Sequence, residues 1–138
     1  MALLPTPSDL ERAALARAKA RLDRLDFYPR RVDLRRVRVL HAPRWFRLPP
    51  FRHFSGYCIF DLILVREPLE RVDDDLLCHE LTHVWQQQQG CWPRMWLSYC
   101  RPRVFTGDRS AYHANRYEVE ARRAVALTRP SAAPPAGR

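Results

Sequence analysis

The chain has 138 residues, of which 46% are hydrophobic, and its formal net charge is +9. This length suits one compact domain with a hydrophobic core, and no apolar run is long enough to span a bilayer. Residues 1–10 lack the basic and apolar regions of a signal peptide. We therefore expect a cytoplasmic protein with a single domain over residues 1–127 and a disordered, proline-containing tail over residues 128–138.

The positive charge is almost entirely arginine, since Lys19 is the only lysine. A basic chain can bind an acidic partner such as nucleic acid. The arginines are spread along the sequence rather than clustered on one element, which favours charge scattered over the surface. Nucleic acid is therefore a possible but less favoured partner, and we expect no membrane association.

The first predicted elements are a helix and two strands. Ser8 and Glu11 have the spacing of a capping box, which opens an alanine- and leucine-rich helix expected to run to about Leu25. A β-branched segment over residues 37–41 predicts a short strand. The run over residues 57–65 is the strongest strand pattern in the chain.

A second helix is predicted over residues 73–89. Aspartates at positions 73–75 mark its start, because carboxylates cap free backbone N–H groups and favour the positive end of the helix dipole. Gly90 suits the left-handed residue that follows a helix end. The four glutamines at positions 86–89 are interpreted as the solvated end of this helix.

The remaining elements are a short helix opening at Pro93, a loop over residues 101–109, and a last helix. The last helix is expected to begin at residue 111 or 115 and to end at Leu127. Together with the predicted strands, these helices favour an α+β fold.

The motif H-E-x-x-H occurs at residues 79–83, inside the second predicted helix. Residues four apart share a helix face, so His79 and His83 can both reach one metal ion. Glu80 lies beside them, where a carboxylate can take a proton from a metal-bound water. The motif predicts zinc-dependent hydrolysis with Glu80 as the catalytic residue, and the alternative is a buried helix with two incidental histidines.

A third ligand must come from another part of the chain, because catalytic zinc usually has three protein ligands. The extended motif with a downstream glycine and histidine is absent, since Gln86 and Gln89 occupy those positions. The candidates are therefore three histidines and two glutamates: His41, His53, His113, Glu118 and Glu120.

Glu118 and Glu120 point to nearly opposite sides of a helix, so only one of them can face the metal. Periodicity does not decide between them. The alternative role of Glu118 is a capping box with Asn115. The alternative role of Glu120 is a surface salt bridge with Arg116 or Arg123.

Two segments, HELTHVWQ at residues 79–86 and NRYEVEAR at residues 115–122, together resemble the compact gluzincin metallopeptidases. This group includes the minigluzincins and the metallopeptidase-like domains associated with bacterial contractile injection systems. The resemblance implies that the first glutamate of the second segment, Glu118, binds zinc. Arg122 stands where the family often has an aspartate, which would orient a histidine ligand.

The resemblance also implies a zincin-like layout. A small sheet with an edge strand, matched to residues 57–65, would pack against the motif helix, and a C-terminal helix would carry the third ligand. An extended peptide could then pair with the edge strand above the metal.

The sequence thus predicts a zinc metallopeptidase in which His79, His83 and Glu118 hold Zn²⁺ and Glu80 is the general base. Tyr112 or His113 would donate a hydrogen bond to the oxyanion. One alternative is a regulatory or interaction protein that keeps the fold and the zinc with little proteolytic activity. Another is a nucleic-acid-associated protease.

Overall fold

The described part of the computed structural model comprises residues 4–100 and 109–131. These residues form helices around a small mixed sheet, so the expected α+β class is confirmed. None of the described helices combines the length and apolar character needed to cross a membrane. The helices are α1 (Asp9–Leu22), α2 (Asp74–Gln86), α3 (Trp92–Tyr99), α4 (Arg109–Ala114) and α5 (Arg116–Thr128).

Helix α1 begins where the sequence predicts and ends earlier. The Ser8 hydroxyl accepts a hydrogen bond from the backbone N–H of Glu11 at 3.1 Å, as expected for a cap. The Glu11 carboxylate does not close the capping box, because it accepts instead from the backbone N–H of Val39 at 2.8 Å. The helix ends at Leu22 rather than Leu25. Glu11 therefore links α1 to the sheet.

The sheet has three strands in the order β1-β3-β2, and they are β1 (Arg38–His41), β2 (Gly56–Ile59) and β3 (Leu62–Val65). β1 runs parallel to β3, and β2 runs antiparallel to it. The expected strand over residues 37–41 is confirmed as β1. The expected single strand over residues 57–65 is wrong, because this run folds into a hairpin made of β2 and β3.

The hairpin turn at Phe60 and Asp61 explains the error. Phe60 has a φ of 51°, a left-handed conformation that bulky residues rarely adopt. Its backbone N–H donates to Oε1 of Gln87 at 3.0 Å, and its ring stacks on Trp96 with centroids 5.1 Å apart. Tertiary contacts therefore support a turn that has no glycine or asparagine to mark it. As a result β3 is central, and β2 lies at one edge of the described sheet.

Helix α2 is the central element, since it packs against α1, α5 and β2. Asp73 caps it by accepting from the backbone N–H of Asp75 at 3.0 Å. The helix ends at Gln86, earlier than expected, and a wider helical turn follows in which Gly90 has the predicted left-handed conformation, with a φ of 86°. The core around α2 is formed by fully buried side chains from three elements, namely Leu22, Ile63, Val65, Leu77, Leu81, Val84 and Trp85.

The last predicted helix is two helices. Asn115 separates α4 from α5 and caps α5, accepting from the backbone N–H of Tyr117 at 2.9 Å. Helix α5 continues to Thr128, which is 1% exposed and so belongs to the folded domain rather than to the expected tail. Residues 101–108 of the expected loop and residues 132–138 of the expected tail lie outside the described residues.

Candidate metal centre

The three predicted metal ligands converge in the structure. Their candidate ligand atoms all lie within 4.8 Å of one another. Nε2 of His79 is 2.9 Å from Oε2 of Glu118, and Nε2 of His83 is 2.9 Å from Oε1 of the same carboxylate. The two histidines lie one turn apart on α2, whereas Glu118 comes from the first turn of α5.

Close packing of α5 against α2 delivers Glu118 to the histidines. Ala121 and Ala124 follow it on α5 and have no exposed surface, and their small side chains allow two helices to approach closely. Glu118 itself is only 2% exposed. Its carboxylate points to the histidines instead of closing a capping box with Asn115, so α5 places one acidic group in a buried position.

The charges at the centre stabilise one another. Burial alone would raise the pKa of Glu118, but His83 and His79 hold it well below its usual range. Burial would likewise lower the pKa of His83, but Glu118 outweighs it and raises that pKa to about 9. In the metal-free protein the buried carboxylate is therefore ionised and is balanced by positive charge on His83.

The three ligand atoms could hold a metal ion. Nε2 of His83 is buried and makes no hydrogen bond within the described residues, even though Oε1 of Glu118 is 2.9 Å away. The contact is therefore an ion pair without hydrogen-bond geometry. Nε2 of His83 has no hydrogen-bond partner among the described residues. Two imidazole nitrogens and one carboxylate are a common ligand set for catalytic zinc, with a further position left open.

Glu80 lies beside the three ligands and against strand β2. It is 5% exposed, and a Cβ built on Gly56 would lie 3.0 Å from its Oε1. Burial raises the pKa of Glu80, His79 and His83 partly offset this, and Glu118 adds to it. The predicted catalytic carboxylate is thus near the centre without being one of the converging groups.

Two tyrosines complete the surroundings of Glu118. The Tyr99 hydroxyl donates to Oε1 of Glu118 at 2.7 Å, and Tyr112 lines the same cleft. Burial, followed by the charge of Glu118, raises the pKa of both hydroxyls, so both remain protonated donors at neutral pH. Sequence reasoning named Tyr112 and missed Tyr99, because no spacing relates Tyr99 to the metal motif.

Gln86 and Glu120 differ from their sequence-based interpretations. Gln86 is completely buried and its Oε1 lies 2.8 Å from Nδ1 of His83, so this glutamine is not part of a solvated helix end. Glu120 makes no salt bridge with Arg116 or Arg123 and instead accepts hydrogen bonds from Gln86 and from the Tyr28 hydroxyl. The packing of α2 against α5 encloses both side chains.

The other candidate ligands do not join the cluster in the part of the chain that the structure describes. His41 contacts the backbone carbonyl of Arg66 at 3.1 Å. His113 contacts Arg122, with 3.2 Å between Nδ1 of His113 and the guanidinium. His53 is exposed at the rim of the cleft. Arg122, at the position where gluzincins often have an aspartate, therefore interacts with His113.

The centre opens into a cleft with a volume of about 620 Å³. Its walls come from the segment leading into β2 and from helices α2, α4 and α5, and the lining includes Phe54, Gly56, His79, Glu80, Tyr112 and Glu118. A separate depression is lined by four arginines, Arg30, Arg31, Arg35 and Arg36. The densest group of arginines in the sequence therefore does not line the metal cleft.

Comparisons of the chain with protein-family models, with curated proteins and with solved structures found no match.

Proposed function

We propose that this protein is a zinc metallopeptidase with a zincin-like fold. The observation that carries the proposal is the convergence of His79, His83 and Glu118 in a cleft that also holds Glu80. A buried set of two imidazoles and a carboxylate, with an adjacent carboxylate outside that set, matches the needs of metal-assisted hydrolysis.

The position of β2 supports a peptide substrate. It is one of the two edge strands of the described sheet, it packs against α2, and Gly56 at its start approaches Glu80. An extended peptide could add to this edge through main-chain hydrogen bonds, which tolerate many side chains. Such a peptide would run past the carboxylate of Glu80.

Zinc, when bound, would polarise the scissile carbonyl and make water more acidic. Glu80 would accept the proton of the attacking water and then deliver it to the departing amine. Its place between α2 and Gly56 would hold the carboxylate on the side of the cleft where the peptide lies. His79, His83 and Glu118 would hold the ion.

The two tyrosines would have different tasks. Tyr99 donates to a ligand oxygen of Glu118 and would keep that carboxylate oriented. Tyr112 lines the open cleft as a protonated hydroxyl, and it would donate a hydrogen bond to the oxygen that becomes negatively charged during attack.

A pair of measurements tests this function. Zinc content and hydrolysis of a mixed peptide library are compared among the wild-type protein, Glu80→Gln and His79→Ala. We expect Glu80→Gln to keep zinc and lose hydrolysis, because an amide cannot accept a proton from water, and His79→Ala to lose both. A wild-type protein that holds zinc but cleaves no peptide would refute the peptidase and favour a regulatory role, and wild-type zinc content in His79→Ala would refute the metal centre.

A further inference from the structure

A series of hydrogen-bonded groups leads away from the metal centre through residues that do not line the cleft. Oε1 of Gln86 lies 2.8 Å from Nδ1 of His83, and Nε2 of Gln86 donates to the carbonyl of Tyr117 and to Oε1 of Glu120, each at 3.1 Å. The Tyr28 hydroxyl donates to the same Glu120 oxygen. Gln86 has no exposed surface, so water does not compete for these bonds.

The surroundings of Gln86 allow only one orientation of its amide. The carbonyl of Tyr117 and the carboxylate of Glu120 are both acceptors, and they require the NH₂ group to face them. A reversed amide would direct its oxygen at two other oxygens, and both hydrogen bonds from the amide would be lost. The acceptor oxygen of Gln86 must therefore face His83.

The orientation of the amide in turn determines which nitrogen of His83 carries a proton. Because Oε1 of Gln86 can only accept, Nδ1 of His83 must be the N–H donor. In the neutral ring the lone pair then lies on Nε2, the atom that points to Glu118 and makes no hydrogen bond. Fixing the tautomer in this way is how residues behind a histidine ligand tune its metal affinity.

We infer that Gln86 is a positioning residue, held by Glu120 and Tyr117, that fixes His83 as the Nδ1–H tautomer and thereby sets the zinc affinity of the centre. This inference rests on the proposed zinc centre, although the hydrogen bond itself does not require the metal. It gives Gln86, which lies outside the H-E-x-x-H motif, a direct part in building the site.

The first test replaces the amide by a side chain of similar size that accepts no comparable hydrogen bond. Gln86→Met should weaken zinc binding by about 10- to 100-fold, the range typical of residues that orient metal ligands. Gln89→Met is the matched control, because it makes the same change on the same segment, where Gln89 contacts the backbone of Arg30 rather than His83. Equal zinc affinities in the two variants would overturn the inference.

A charge swap separates positioning from packing. Gln86→Glu alone places two carboxylates together and should weaken zinc binding and stability. Adding Glu120→Gln restores a donor–acceptor pair, because the carboxylate at position 86 accepts from His83 and also accepts from the new amide at position 120. The double variant should recover part of the zinc affinity that Gln86→Glu loses. Recovery should be incomplete, because the oxygen at position 86 that faces the carbonyl of Tyr117 cannot donate to it. A double variant no better than Gln86→Glu would contradict this series of hydrogen bonds.

A spectroscopic measurement tests the tautomer directly. In protein labelled with ¹⁵N-histidine, the Nδ1–H of His83 should give a slowly exchanging proton signal in the metal-free and zinc-loaded states, and Gln86→Met should lose it. A wild-type signal that exchanges as fast as in Gln86→Met refutes the inference even if zinc binds. Failure of the proposed function would give a different result. The protein would then bind no zinc, or cleave no peptide, while the Nδ1–H signal of His83 would still be present.

Discussion

Gly56 leaves the space that the Glu80 side chain occupies. A Cβ at position 56 would stand 3.0 Å from Oε1, 3.1 Å from Cγ and 3.2 Å from Cδ of Glu80. These contacts are tighter than nine in ten of those that real Cβ atoms make, so the side chain of Glu80 would have to move by a few tenths of an ångström. The close approach of Gly56 to Glu80 therefore fixes the position of β2 relative to the proposed base, Glu80.

Gly56→Ala should therefore lower peptide hydrolysis with little effect on zinc binding. The three atoms nearest to the added methyl group all belong to Glu80, so that side chain must move. A misplacement of about 1 Å can cost about 100-fold in rate, so the smaller shift here should cost less than that. Steady-state kinetics and zinc content provide the measurement. Ser55→Ala is the control, because it alters the exposed neighbouring residue, and equal activity of the two variants would contradict the proposed contact.

Glu118→Gln should reduce zinc affinity far more than Glu120→Gln. The first change neutralises a ligand, so the loss should exceed about 100-fold, whereas an amide at position 120 can still accept from Gln86 and should cost less than about tenfold. Competition with a chromogenic chelator measures both dissociation constants. A larger loss in Glu120→Gln would move the third ligand to position 120.

Removing zinc should loosen α5 more than α1. The ion would join Glu118 on α5 to two histidines on α2, and ligand binding to the folded state adds about 4 kcal/mol at a free concentration a thousandfold above Kd. Hydrogen exchange with and without a chelator measures this, with the amides of Asp9–Leu22 as the internal reference. Unchanged protection of Arg116–Thr128 on chelation would mean that packing alone holds α5 in place.

Asp75 should make stability depend on pH in the acid range. Burial would raise its pKa, but hydrogen bonds from Arg21 and Arg129 outweigh burial and lower it. A lowered folded-state pKa means that the stabilisation is fully present above the unfolded value of about 3.9 and is lost as pH falls through the folded value.

The test compares Asp75→Asn with wild type by urea unfolding from pH 7 to pH 2. The variant should be less stable by about 1–2 kcal/mol at pH 6, since it loses charge-assisted hydrogen bonds, and the difference should shrink toward pH 2. Asp74→Asn is the control, because its partner Arg17 is half exposed and such pairs contribute about 0–1 kcal/mol. A difference that persists unchanged at pH 2 would rule out the carboxylate's charge as its source.

The metal motif could be predicted from the sequence because its geometry is local. Residues four apart on one helix share a face whatever the rest of the fold does, so His79 and His83 follow from the pattern alone. Glu118 required more information, because Glu118 and Glu120 are equivalent by periodicity. The resemblance to gluzincins selected Glu118, which is the glutamate that lies against both histidines.

The features that sequence reasoning missed depend on distant parts of the chain. Tyr28 is 92 positions from its partner Glu120, and Gln86 is 34 positions from that same carboxylate. Nothing local distinguishes Gln86 from the glutamines that follow it. The turn at Phe60 was missed for a similar reason, since its backbone conformation is supported by Gln87 and Trp96 rather than by its own residue type.

Glu118, the Tyr117 carbonyl and Glu120 lie within four consecutive residues of α5. They contact α2 at two points, because Glu118 lies against the histidines and the other two groups accept from the amide of Gln86. A rotation or slide of α5 would withdraw the third metal ligand and free the Gln86 amide in the same movement. Such a movement would lower zinc affinity through both effects at once. The zinc affinity of the centre should consequently report whether α5 is packed against α2.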